Sequence, residues 1–224
     1  MPSLYLQRNF QPNHYYHIFN RGGFKQKIFL KKKDYNTFID ILKYYLRYPQ
    51  INSLSRLTQK KLNKAKKRVT PKPFRLLAYC LMPNHFHLLL LQKLPAPTLT
   101  DLLRKVEVTY AMYFQHQYQH SGALFQGRFR CVPVFDDEQL LYLSKYIHLN
   151  PQKSVGSVPT DFPYSSLKDY LQLNQVHKDW LDSQIIYEKF FPHSINPVKD
   201  YLSFLSSTKD QPQLIKLLDK KTLE

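Results

Sequence analysis

The stretch Leu81-Met82-Pro83-Asn84-His85-Phe86-His87-Leu88-Leu89-Leu90-Leu91 constrains this chain more than any other. Successive side chains of a strand point to opposite faces, so His85 and His87 share one face and Phe86 takes the other. A Phe anchored in a core between two imidazoles sets two nitrogen donors at fixed spacing on a rigid element. Pro83-Asn84 is a turn signal, so the sequence predicts a hairpin, with one strand over residues 76–81 and the next over 85–91. The chain holds nine histidines, and a lone His-x-His pair among nine does not by itself make a metal site. It makes half of one.

Charge supplies the second constraint. The formal net charge is +17, and it is focused. Residues 21–75 carry 17 Lys or Arg against two acids, Asp34 and Asp40, an excess of 15. A merely solvated surface intersperses both signs, whereas this concentration points to a polyanion, nucleic acid or an anionic membrane. Arg21, Lys25, Lys27 and Lys31 lie in a segment with no acid and suit a phosphate-facing loop. Lys60, Lys61, Lys64, Lys66, Lys67 and Arg68 fall in a basic insertion over about 51–73, read as either a short basic helix or a loop. Hydrophobic content of 43% with 15% aromatic is that of a globular chain. Two lone cysteines, Cys80 and Cys131, give no disulfide framework and no structural zinc set, and predict a reducing cytoplasm. The first residues lack a secretory pattern, and no apolar run nears the ~20 residues of a membrane span.

Taken in order, residues 15–20 alternate as a strand and Arg21-Gly22-Gly23 turns it. A helix is predicted from Asp34, as N-cap, to about Tyr48, with Phe38, Ile41, Leu42 and Tyr45 at helical spacing. After the hairpin, Thr98 or Thr100 caps a helix over 99–119. Its end carries His116 and His120 at i,i+4, without the Glu that would make the pair a hydrolase motif, and these read as a solvated helix end. His14 and His17 receive no role. Residues 124–134 predict a strand with a bulge at Gly127 and Arg128 and Arg130 on one face. Asp136-Asp137-Glu138 opens a helix over 139–149, as the helix dipole favours. Tyr142, Tyr146 and Asn150 follow one another on one face of that helix. A turn-rich segment, 161–170, and an amphipathic helical tail over 180–218 complete the chain. The order strand, helix, strand, strand, helix, strand, helix predicts an α+β fold. It has a ferredoxin-like core with an antiparallel sheet and helices on one face, plus a helical C-terminal extension. Residues 1–172 form the expected core domain and 173–224 the extension.

Chemistry gives these parts a common use. A tyrosine phenol, with a pKa near ~10, is a poor nucleophile until its proton is drawn off and the phosphate under attack is polarised. A divalent ion held by two imidazoles and an amide oxygen would do the polarising, and Asn150 stands one turn beyond Tyr146.

Met82-Pro-Asn-His-Phe-His-Leu-Leu, Gly127-Arg-Phe-Arg and Tyr146-Ile-His-Leu-Asn-Pro151, with Tyr164-Ser-Ser, resemble the REP-associated tyrosine transposases. These are a single-tyrosine branch of the HUH nucleases, and the resemblance spans about residues 15–170. It implies cleavage of single-stranded DNA beside short hairpins, dependent on Mg²⁺ or Mn²⁺. The intermediate would be a covalent 5′-phosphotyrosine, and joining would be transesterification without ATP. On this resemblance His85 and His87 are metal ligands, Asn150 the third ligand and Tyr146 the nucleophile. Action at the bacterial nucleoid in the cytoplasm, as monomer or homodimer, is implied with it. Two other classes stay open: a non-cleaving, domesticated hairpin-binding protein of the same fold, and a ferredoxin-like RNA-binding module. The second would want paired aromatics on its central strands, where the imidazoles stand.

Overall fold

The computed structural model describes residues 9–50, 72–152, 157–172 and 179–207. Strand β1 is His14–Arg21, helix α1 Lys32–Arg47, β2 Phe74–Met82, β3 His85–Gln92, α2 Leu99–Tyr118, β4 Arg130–Pro133 and α3 Asp137–Leu149. Three shorter helices follow: α4 Leu167–Leu171, α5 Gln184–Phe190 and α6 Pro197–Ser206. The sheet is antiparallel in the order β2-β3-β1-β4, the ferredoxin-like arrangement that the order of elements predicts. The basic cluster from Lys60 to Arg68 and the tail beyond residue 207 lie outside the described residues.

Helices α1 and α2 cover one sheet face. Tyr16, Ile18, Leu81, Phe86, Leu88 and Leu90 meet Phe38, Leu42, Tyr45, Val106 and Tyr110 there, all of them buried. Phe86 is fully buried, with its ring centroid 5.1 Å from that of Phe38, so the residue between the two histidines is the anchor expected of it. The expectation of helices on one face holds for this pair alone. Leu77, Ala78, Cys80, Leu89 and Leu91 point to the opposite face, and α3 packs on them through Leu140, Leu143 and Ile147. The predicted hairpin strands are near-continuous apolar runs rather than an alternation, as strands covered on both faces must be. Cys80 is fully buried and its thiol pKa is raised by that burial, as an inert core residue.

Two further expectations need correction. Helix α1 begins at Lys32, with Lys31 at its N-cap. Asp34 sits at the third helical position, where its buried carboxylate accepts from the Leu30 and Lys31 amides and from the hydroxyls of Tyr113 and Tyr118. The fourth strand is four residues long, not eleven. Residues 124–126 pair with the end of β1 through the Gly23 amide to the Leu124 carbonyl and the Gln126 amide to the Arg21 carbonyl. Gly127 then takes φ +140° and its carbonyl accepts from the Asn20 side-chain amide at 3.0 Å, so this pairing is interrupted before β4. Helix α2 matches its prediction closely, with Thr98 rather than Thr100 as cap, and Gln119 closes it in the left-handed conformation.

Candidate active site

Strand register builds the site. Residues facing one another across the sheet share a face, and β1 sets Phe19 opposite His87 and Arg21 opposite His85, while β4 sets Arg130 opposite Phe19. The Pro83-Asn84 turn brings His85 in at the start of β3, and the Asn84 side-chain oxygen lies 2.7 Å from His85 Nδ1. An amide oxygen only accepts, so His85 carries its proton on Nδ1 and a lone pair on Nε2. That Nε2 lies 3.1 Å from Asn150 Oδ1, a second acceptor. Two acceptors facing each other at this distance are suited to a cation between them. His87 is fully buried, its ring centroid 5.0 Å from that of His85 and almost perpendicular to it, and its Nε2 has no hydrogen-bond partner. A buried polar atom left without a partner is costly. Two imidazole nitrogens and an amide oxygen fit a borderline divalent cation. Among the described residues no cluster of three or more His, Cys, Asp and Glu could hold a metal, so Asn150 would be the third donor of such a set.

Helix α3 delivers Tyr146. Its ring meets His87 edge-on at 5.4 Å and His17 at 5.9 Å, and the residue is 7% exposed. Asn150 is the C-cap of the same helix, so tyrosine and amide reach the histidines from one rigid element. Tyr142, one turn earlier, packs on Phe204 of α6 instead, at 5.4 Å. Asp136 caps the start of α3 by accepting from the Gln139 amide, at the acidic end the sequence predicts.

The mouth beside the histidines is a cavity of about 110 Å³ lined by Phe19, Asn20, Arg21, Gln126, Arg128 and Arg130 together with His85 and His87. Three of the arginines named from the sequence thus stand around one opening. Burial lowers the Arg21 pKa, and the neighbouring Arg130 charge lowers it further. Like charges held close mark a place that gains from an anion. Arg21 also hydrogen-bonds Gln126. Lys25, Lys27 and Lys31 sit exposed on the loop leaving β1. They do not line the cavity.

Sequence reasoning gave His17 no role, and the structure gives it one. His17 is fully buried, and its Nε2 lies 2.9 Å from His87 Nδ1. Burial depresses its pKa to about 3, and burial again, before the His85 and His17 charges, holds His87 well below the usual histidine range. Both rings are therefore neutral, and one nitrogen of the pair must donate to the other. Only when His87 Nδ1 donates does His87 Nε2 keep the lone pair that a metal needs. In that arrangement His17 Nε2 is the acceptor. Asn20 is a second residue the sequence did not reveal. Buried at 5% exposure, it donates to Glu107 Oε1 and the Gly127 carbonyl, tying the arginine-bearing loop to α2. His116 and His120 remain at the end of α2, and His14 is exposed.

Residues 47–150 match the family model described as "Transposase IS200 like". The matched stretch includes His85, His87, Tyr146 and Asn150. Two solved structures resemble the chain at 16% identity. One, "Structure of the REP associates tyrosine transposase bound to a REP hairpin", covers 80% of this chain and 92% of its own, with a TM-score of 0.49. The other, a candidate transposase from Deinococcus radiodurans R1, covers 63% of this chain and 93% of its own, with a TM-score of 0.38. No curated protein matches the chain in sequence. Residues 47–150 of this chain are thus similar to the IS200-like transposase family.

Proposed function

We propose that this protein is a single-tyrosine transposase of the REP-associated kind. It cuts and rejoins single-stranded DNA beside hairpins, through a covalent link to Tyr146. The observation that carries the reading is the edge-on packing of Tyr146 on the ring of His87, whose buried Nε2 has no hydrogen-bond partner, together with the facing His85–Asn150 acceptors. Action in the cytoplasm belongs to the same proposal. No described helix is long and apolar enough to cross a membrane.

His85 Nε2, His87 Nε2 and Asn150 Oδ1 would hold Mg²⁺ or Mn²⁺. When bound, the cation supplies Lewis-acid polarisation of the phosphate and stabilises charge on the departing 3′ oxygen. Every other part of the reaction falls to the chain. Arg21, Arg128 and Arg130 draw the phosphate into the cavity and hold it against the histidines. The edge-on packing of Tyr146 on His87 and His17 fixes the phenol ring, so little freedom remains to be lost on attack. The Tyr146 oxygen bonds to phosphorus and gives up its proton, the bond to the 3′ oxygen breaks, and that oxygen leaves as a hydroxyl. Rejoining runs the same exchange backwards, with a 3′-hydroxyl displacing tyrosine. One phosphoester bond is made for each one broken, so no nucleotide triphosphate is needed.

The test is direct. The protein is incubated with labelled single-stranded hairpin oligonucleotides and Mn²⁺, and denaturing gels are read for a protein–DNA adduct. An adduct mapped to Tyr146 by mass spectrometry supports the reading. Tight hairpin binding without any adduct under these conditions overturns it in favour of a non-cleaving binder.

A further inference from the structure

The loop between β1 and α1 presents one aromatic ring in a way that packing does not explain. Phe24 is fully exposed, at 104%. Its backbone is left-handed, with φ 52° and ψ 30°, and the next residue, Lys25, is left-handed as well at φ 60°. Residues with a Cβ seldom adopt this conformation, and two in succession stay there only when their surroundings hold them.

Here the surroundings do hold them. The Gly22 amide donates to the Asn84 carbonyl at 2.9 Å and the Gly23 amide to the Leu124 carbonyl at 3.0 Å. The amides of Ile28 and Phe29 both donate to the Pro83 carbonyl, and these two side chains are buried. A Cβ on Gly22 would stand 2.2 Å from the Gln26 carbonyl oxygen, so the turn accepts only glycine there. The loop is thus bolted to the Pro83-Asn84 turn that leads into His85, and to the segment leading to Arg128.

The other exposed large apolar residues, such as Phe135 and Ile195, sit on ordinary backbone. Phe24 differs in its strain and also in its neighbours, since Arg21, Lys25 and Lys27 flank it in sequence. It lies three residues from Arg21, within about 11 Å along the chain. At a rise of about 3.4 Å per nucleotide, that is a reach of roughly three nucleotides from a phosphate in the arginine-lined cavity.

We propose that Phe24 is a stacking platform for an unpaired nucleobase of the strand whose phosphate enters that cavity. The inference rests on the DNA-binding reading above and adds to it a base-binding position. An aromatic face is recognised by any base, and the flanking cations accommodate the backbone. Stacking would confer a preference for strands with unpaired bases over bare sugar-phosphate, without reading their sequence.

Fluorescence anisotropy with the full chain tests this, using a 20-nucleotide oligothymidine and a 20-unit abasic deoxyribose-phosphate strand. Wild type should prefer the thymidine strand. Phe24→Ala should bind it roughly 5- to 150-fold more weakly, with affinity for the abasic strand unchanged and Phe24→Trp close to wild type. Phe24→Gly should lose affinity like the alanine variant yet melt no lower than wild type, since glycine takes this backbone without strain. Equal losses on both strands, or none, overturn the proposal. So does a lower melting temperature in the glycine variant, or a change in oligomeric state with alanine, which would mean that protein covers the ring. If wild type binds neither strand, the DNA-binding reading itself fails, and that result is distinct from the others.

Discussion

Replacing His17 by Leu isolates the contact with His87 that the sequence concealed. The substitution keeps an apolar side chain beside Phe19 and removes the acceptor 2.9 Å from His87 Nδ1. His87 then has two choices. It can keep its proton on Nδ1, buried and without a partner, at a cost of about 1–3 kcal/mol. It can instead move the proton to Nε2 and lose the lone pair there. Loss of the partner that orients His87 should weaken divalent-cation binding by roughly 10–100-fold, the range typical for loss of a residue that orients a metal ligand. Calorimetric titration of the protein with Mn²⁺ measures the change directly. Adduct yield against Mn²⁺ concentration should shift to the right by the same factor and recover near-normal yield at saturation. His17→Gln should restore most of the affinity, because its side-chain oxygen reaches the position of Nε2 and can accept. Unchanged Mn²⁺ affinity in the leucine variant would refute the tautomer argument. Equal damage from Leu and Gln would reduce His17 to packing.

Tyr146→Phe should remove the covalent adduct entirely while hairpin binding, measured by gel shift, persists; Tyr142→Phe should keep the adduct, and an adduct mapped to Tyr142 would reverse the assignment. Changing Lys60, Lys61, Lys64, Lys66 and Lys67 together to Gln should weaken binding to every single strand alike. At about 0.7 per phosphate contact, the slope of log affinity against log salt should flatten by up to roughly 3.5; an unchanged slope would remove the insertion from the DNA interface. Acid should destabilise the fold through His148, which is fully buried, is depressed to about 3 by that burial, and is hydrogen-bonded to the hydroxyls of Tyr201 and Ser166. Its folded pKa lies below its unfolded one. The stability it contributes is therefore complete above pH ~6.5 and falls by about 1.4 kcal/mol per unit as pH drops toward 3. Urea unfolding at pH 7.5 and 5.5 should show a smaller loss in His148→Gln, and an identical loss would acquit this residue.

How much of this was legible in the sequence follows from the range of each interaction. The hairpin could be read because the two-residue period that pairs His85 with His87 and the Pro83-Asn84 turn are local, and Tyr146 with Asn150 because about four residues make one helical turn. His17 could not be read. Its partner lies 70 residues away, and only the β1–β3 register, which places His17 opposite Leu89 and Phe19 opposite His87, puts the two rings in contact. Asn20 was hidden for the same reason, with partners 87 and 107 residues away. The overlong fourth strand was a misreading of another kind. Residues 124–134 have strand-like composition and residues 124–126 do pair with the end of β1, but at Gly127 the backbone turns to φ +140° and the pairing is interrupted before β4. The covered second face was visible in principle, since Leu88 to Leu91 run without a break. A strand with one wet face would have alternated.

That second face explains how a tyrosine is held still on a helix lying over the sheet. Helix α3 packs on β2 and β3 on one side and meets α6 on another. Lys145, next to the proposed nucleophile, is buried, and its ammonium donates to the carbonyls of Phe204 and Ser207 at the end of α6. There it satisfies carbonyls that a helix end leaves without partners, and its positive charge suits the negative end of the dipole. Burial lowers the Lys145 pKa, so these acceptors are what keep the charge tolerable inside. His148, three residues on, bonds to Tyr201 of α6 and to Ser166, whose hydroxyl donates to the Tyr79 carbonyl on β2. Tyr142 rests on Phe204. Three successive turns of α3 are therefore tied to the C-terminal helices by Tyr142, Lys145 and His148. Tyr146 and Asn150 remain on the side that meets the histidines. The helix can present one tyrosine to the site because another is committed to holding it in place.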